Sequence, residues 1–284
     1  MVMAVLAVTA LSACEKMVVD EEETESGKKG NVTLKATMFN IVPFETRAVQ
    51  NIADYCSRLC FVVYDSSGSK VKGVSQKKGD TGYGQVSMTL EPATYKLLVL
   101  AHSGQSNPTL TDPSFLQFTN QMGYSDTFYY YGDLIVTEEA ATHELQLQRA
   151  TTLLSLTITD ELPYNLKQIR CEWVGESGVF NATTGWGGTV NSTQVVVYNV
   201  EGLTAPITLR LYTFMRQEEG TLKLTIDATD TNGATIEKRV YNDVPIKNRM
   251  VTEYSGRFFS SAESENSFNL TAETGWEVYK QFSF

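Results

Sequence analysis

Leu59-Cys60-Phe61-Val62-Val63-Tyr64-Asp65 is rich in β-branched and aromatic residues, and Ser66-Ser67-Gly68 halts it with turn formers. Lys70-Val71-Lys72-Gly73-Val74 follows at hairpin distance and reads as its mate. Strand, tight break, returning strand is the unit from which antiparallel sheets are built. The rest of the chain repeats it.

Downstream, Gln85 to Leu90 and Tyr95 to Ala101 flank Glu91-Pro92-Ala93-Thr94, and the spacing predicts a second hairpin with Pro92 setting the break. His102 to Ser125 reads as a long loop. Thr127 to Tyr131, Leu134 to Thr137 and His143 to Leu147 read as further strands. Upstream, Val32, Leu34 and Ala36 point one way, with Thr33, Lys35 and Thr37 the other, as in a half-buried strand. Arg47 to Leu59 suits a short helix or an irregular crossover.

A second series starts at Thr152. Leu154 to Ile158 alternates, and Asp160-Glu161-Leu162-Pro163 ends it as Asp65 ends its counterpart. Ile169 to Val174, Gln194 to Asn199, Ile207 to Phe214, Leu222 to Thr229 and Ala234 to Tyr241 follow. The last two flank the Asn-Gly turn Asp230-Thr231-Asn232-Gly233. Nothing long enough for an α/β crossover lies between them. The pattern predicts an all-β protein of two tandem antiparallel β-sandwich domains, residues 31–150 and 151–284.

The ends differ from the body. Met1 to Ala13 (MVMAVLAVTALSA) is apolar or small throughout, too short for a bilayer span but of signal-peptide length. Leu11-Ser12-Ala13-Cys14 resembles a bacterial lipobox, so residues 1–14 are expected to be a lipoprotein signal with Cys14 as the acylated residue. No Lys or Arg precedes Cys14, so a basic n-region would have to come from an upstream start. Residues 15–30, with Asp20, Glu21, Glu22, Glu23 and Glu25, read as an acidic tether. At the other end, Ser267 to Phe284 resumes alternation: Phe268 with Leu270, then Trp276, Val278, Phe282 and Phe284.

Chemistry is scarce. The formal net charge of −10 opposes nucleic-acid binding, which needs a basic footprint. His102 and His143 are the two imidazoles. A triad of His102, a serine and Asp126 exists on paper only, and His102 reads as a loop residue with a local hydrogen bond. Cys56, Cys60 and Cys171 cannot all pair with one another and read as buried free thiols. Gly185-Trp186-Gly187-Gly188 matches no phosphate-binding fingerprint. Phe128-Tyr129-Tyr130-Tyr131 should place two rings inward and two outward. The expectation is a protein that is not an enzyme and carries no cofactor beyond the covalent lipid on Cys14.

An ordered set of words resembles the FimB-like anchor and minor fimbrial subunits of the Bacteroidales, related to fimbrillin and type V pili. They are Thr46-Arg47-Ala48, Arg58-Leu59-Cys60-Phe61 with Tyr64-Asp65, Ala101-His102-Ser103-Gly104, and Asp126 through Gly132. Asp160-Glu161-Leu162-Pro163, Thr183-Thr184-Gly185, Val190-Asn191-Ser192, Tyr212-Thr213-Phe214 and Val244-Pro245-Ile246 with Asn248 continue the set. The resemblance implies transthyretin-like (Ig-like) domains, export as a palmitate-bearing lipoprotein, display on the outer membrane, and pilin subunits as partners. It also implies assembly by strand exchange, in which an arginine-specific protease acts at a step such as Arg47-Ala48 and a C-terminal strand is donated to a neighbour. The alternative is a surface lipoprotein that binds glycans or host ligands through the Gly104 to Ser125 loop and Trp186.

Overall fold

Asp65 explains the first hairpin: its carboxylate accepts the N–H groups of Ser67 (2.8 Å) and Ser69 (3.0 Å) and closes the turn. Around that hairpin, the computed structural model describes residues 31–38, 52–118, 124–188, 193–260 and 277–282. In chain order its strands are β1 (Val32–Met38), β2 (Arg58–Tyr64), β3 (Lys70–Lys77), β4 (Gln85–Met88), β5 (Ala93–His102), β6 (Leu116–Gln117), β7 (Phe128–Val136), β8 (Ala141–Arg149) and β9 (Thr152–Ile158). Then come β10 (Leu166–Val174), β11 (Val179–Asn181), β12 (Trp186–Gly187), β13 (Gln194–Asn199), β14 (Ile207–Thr213), β15 (Glu219–Asp230), β16 (Thr235–Lys247), β17 (Met250–Gly256) and β18 (Glu277–Phe282). Ile52–Asp54 forms one 3-10 turn. The protein is all-β, as its alternation predicts.

In the first half, β3-β2-β5-β7 makes one layer and β8-β1-β4 the other, joined where the end of β8 meets the start of β7 at Phe128↔Arg149 and Tyr129↔Gln148. Leu34, Val86, Met88 and Leu147 from one layer meet Phe61, Val63, Leu97, Val99 and Leu134 from the other in a continuous apolar core. The predicted hairpin of Gln85–Leu90 with Tyr95–Ala101 does not form. β4 pairs with β1, whereas β5 pairs with β2 and β7, so the chain crosses from one layer to the other at Pro92. Asn31 holds that crossing, donating to Leu90 O (2.8 Å) and accepting from Leu90 N–H (3.0 Å) as a partner strand would. Thr127 to Tyr131 and Leu134 to Thr137 belong to one continuous strand, β7. Gly132 in its middle makes room for Tyr130, whose hydroxyl would lie 2.6 Å from an added Cβ.

In the second half, β13-β10-β15-β16 faces β14-β9-β17-β18. Trp173, Cys171, Ile169, Leu224, Ile226, Leu209 and Leu211 fill the space between. The Asn-Gly turn forms as predicted, with Gly233 at φ +84° and the Asp230 carboxylate accepting Asn232 N–H (2.8 Å) and Ala234 N–H (2.9 Å). Three pairings are parallel, β1 with β8, β9 with β17 and β17 with β18, which alternation alone does not predict. A small sheet, β6-β11-β12, links the halves, since β6 precedes β7 and β11 follows β10.

Candidate functional site

The outer face of β2 and β5 is as apolar as the inner one. Cys60, Val62, Tyr64, Leu98 and Leu100 pack against Phe180, Ala182 and Phe214 of the second half. Aromatic rings dominate this junction: Tyr129–Phe180 is edge-on at 4.7 Å, and Phe214 lies 5.0–5.3 Å from Phe118, Tyr124 and Phe180. The tyrosine run therefore behaves differently from expectation. Phe128 and Tyr130 turn to the first core, but Tyr129 and Tyr131 turn to the junction instead of solvent. The Gly104 to Ser125 loop is committed there too, through Leu110, Leu116, Phe118 and Tyr124. Arg249 pins the contact from above; it occupies φ 59° and donates to Tyr129 OH (3.2 Å) and Gln148 Oε1 (3.0 Å). Nothing in the local sequence marks Arg249 or Phe214 for this role.

The polar groups of the paper triad are occupied elsewhere. Asp126 forms a two-pronged ion pair with Arg149 (2.9 Å) and accepts from Thr151 Oγ1 (3.0 Å), while burial pushes its carboxyl up against the pull of Arg149. His102 ends β5, fully buried, and its Nδ1 accepts Gly104 N–H at 3.1 Å, the expected local bond. Burial, seconded by Arg58, lowers its pKa to about 4. Cys56, Cys60 and Cys171 are buried thiols outside any disulfide, and burial pushes the Cys56 and Cys171 thiols up, so those two are poor nucleophiles.

Gly187 and Gly188 edge a cavity of about 420 Å³ with Glu176, Arg216, Gln217 and Thr221. Packing explains both glycines. A Cβ on Gly187 would meet Phe214 O at 2.7 Å, and one on Gly188 would meet Val179 Cγ1 at 3.1 Å. Trp186 is half-buried against the second core, so its ring is not a free platform.

β1 and β18 are the first and last strands among the described residues. β1 lies between β8 and β4, with Val32, Leu34 and Ala36 buried. β18 lies on β17, Val278 opposite Val251 and Phe282 opposite Tyr254. Cys14, Arg47, Ala48, Phe268, Leu270, Trp276 and Phe284 fall outside the described residues. β1 starts beside Ala141, the end of β8 remote from the link at Ala150. β9, β17 and β18 all run outward from that link, so Phe282 lies at the end of the second half remote from it.

The family model for fimbrillin-A associated anchor proteins Mfa1 and Mfa2 matches residues 23–282. This chain belongs to that family. Membership makes it a fimbria-associated surface protein, in a family of structural fimbrial components. Among solved structures, a candidate cell adhesion protein of Bacteroides ovatus is 14% identical with a TM-score of 0.53, covering 89% of this chain and 100% of that one. It has the same fold. The fimbrial anchor protein Mfa2 of Porphyromonas gingivalis is 12% identical, TM-score 0.36, covering 73% of this chain and 80% of its own. No curated protein matches the sequence.

Proposed function

We propose that this chain is an outer-membrane lipoprotein, acylated on Cys14, that joins a fimbrium to the cell surface by strand exchange. The observation that carries the reading is the placement of the two terminal strands. A tether entering β1 arrives at one end of the first half, and the strand offered to a partner, β18, runs toward the far end of the second. Membrane and pilus would then load the ends of the two halves that lie remote from their link. Because β1 fills the gap between β8 and β4, the first half offers no groove while β1 stays in place. An anchor must keep β1, since its lipid lies upstream, and it therefore acts as donor. Incomplete cleavage at Arg47-Ala48 is part of this reading.

Two variants test it. Cys14→Ala should move the protein from the membrane to the soluble fraction. Removal of residues 267–284 should leave a folded, lipidated protein that no longer retains pilins. Unchanged membrane attachment in the first, or unchanged pilin capture in the second, refutes the corresponding half. Chains that all begin at Ala48 would make this a stalk or tip subunit instead of an anchor.

A further inference from the structure

We propose that Tyr198 and Gln76 seal edge strands β14 and β4 against pairing with a second copy of this chain. Within the sheet β14-β9-β17-β18, pairing between chains is thereby confined to the β17 side, a clause that rests on the fimbrial reading above. An edge strand presents a row of unpaired N–H and C=O groups, a template for any extended chain that meets it. Among the described residues β14 pairs only with β9, and β4 only with β1, so each has one outward edge.

At β14, Tyr198 covers that edge. Its hydroxyl donates to Arg210 O at 2.6 Å and accepts from Arg210 N–H at 3.2 Å. Arg210 stands opposite Ser155, and the N–H and C=O it gives to Tyr198 are the pair an incoming strand would use. One hydroxyl thus substitutes for a C=O and an N–H of a neighbour. Burial, with Cys171 nearby, pushes the Tyr198 phenol up to about 12, so it keeps its proton and both roles.

The first half repeats the device with an amide. Gln76 Nε2 donates to Gln85 O (2.9 Å) and Gly82 O (3.2 Å), and its Oε1 accepts Gly84 N–H (3.0 Å). In both halves the sealing side chain comes from the last strand of the facing layer: β13 over β14, and β3 over β4. β16 is guarded differently, by Lys238 and Arg239, by Asp243 at φ 56° and by Pro245. β17 is covered by a strand, β18, held through main-chain pairing that another strand could replace.

The test is self-association of the full chain in detergent, followed by light scattering across a concentration series. Tyr198→Phe keeps the ring and removes the hydroxyl, and it should form dimers or larger species at about tenfold lower concentration than wild type. Adding Arg210→Pro deletes the outward N–H without costing a β9 bond, and should restore wild-type behaviour. A Tyr198→Phe protein as monomeric as wild type, or association that survives Arg210→Pro, overturns the proposal. Should Tyr198→Phe fail to fold, Gln76→Leu carries the same decision at β4. Pilin capture should stay at the wild-type level in these variants, so failure of the seal and failure of the fimbrial reading are separately visible.

Discussion

β1 and β18 both pair in parallel with a neighbour, yet their ladders differ. β1 matches β8 without a shift from Val32↔Ala141 to Met38↔Leu147, and it pairs with β4 on its other side. Val32 and Leu34 are 1% and 0% exposed, and burying such side chains stabilises by about 1.5–3 kcal/mol each. Among the described residues β18 pairs with one strand, β17, and its register slips between Val251 and Thr252. A strand paired on both sides is part of the core. A strand paired on one side, through a slipped parallel ladder, is a candidate for exchange.

The same substitution in both strands gives the largest expected effect. Leu34→Pro removes an N–H from a strand with neighbours on both sides and empties a fully buried site. It should cost about 5 kcal/mol or more, a large share of a domain's stability, and leave the first half unfolded. Val278→Pro should cost on the order of 1 kcal/mol, leave the thermal transition nearly in place, and reduce pilin capture. Equal destabilisation by the two prolines would erase the distinction between β1 and β18.

The junction decides whether that distinction can act across the whole molecule. A load entering at β1 reaches β18 only if the halves move together. Phe214, fully buried among Phe118, Tyr124 and Phe180, is the ring the others share. Phe214→Ala should cost about 3–5 kcal/mol and split one unfolding transition into two. A single transition at a slightly lower temperature would mean that the halves are coupled by other contacts.

Local signals explain what was legible in the sequence. β2 with β3, β9, β13 and the β15–β16 hairpin follow from alternation and turn residues, because both depend on neighbours in the chain. The parallel pairs and the crossing at Pro92 depend on residues far apart: β1 meets β8 across the whole first half. The burial of the Gly104 to Ser125 loop was hidden for a similar reason. Leu110, Leu116, Phe118 and Tyr124 have no strand period, and the surface that covers them, Phe180 and Phe214, belongs to the other half. Among the candidate donor-strand residues, Val278 and Phe282 lie in a strand as their alternation suggested. Tyr198 continues the pattern Val195-Val196-Val197, and only the position of Arg210 reveals its role.

The last expected effect concerns acid, and it sharpens the junction's part in the comparison. His102 lies edge-on to Phe118 at 5.8 Å and is neutral in the folded protein, its pKa lowered to about 4 from 6.5. The unfolded chain therefore binds this proton first as pH falls. Stability from the neutral imidazole is fully present above about pH 6.5 and declines toward pH 4, by up to about 3 kcal/mol in all. Asp126 works in the opposite direction, because burial raises its folded pKa, so the net slope is shallower than that of His102 alone. His102→Gln should keep an acceptor for Gly104 N–H and remove the titration. Chemical denaturation at pH 7 and pH 4.5 reads the difference. Wild type should lose more stability between those values than His102→Gln. Parallel pH profiles for the two proteins would show that the imidazole is not the group that loosens the halves.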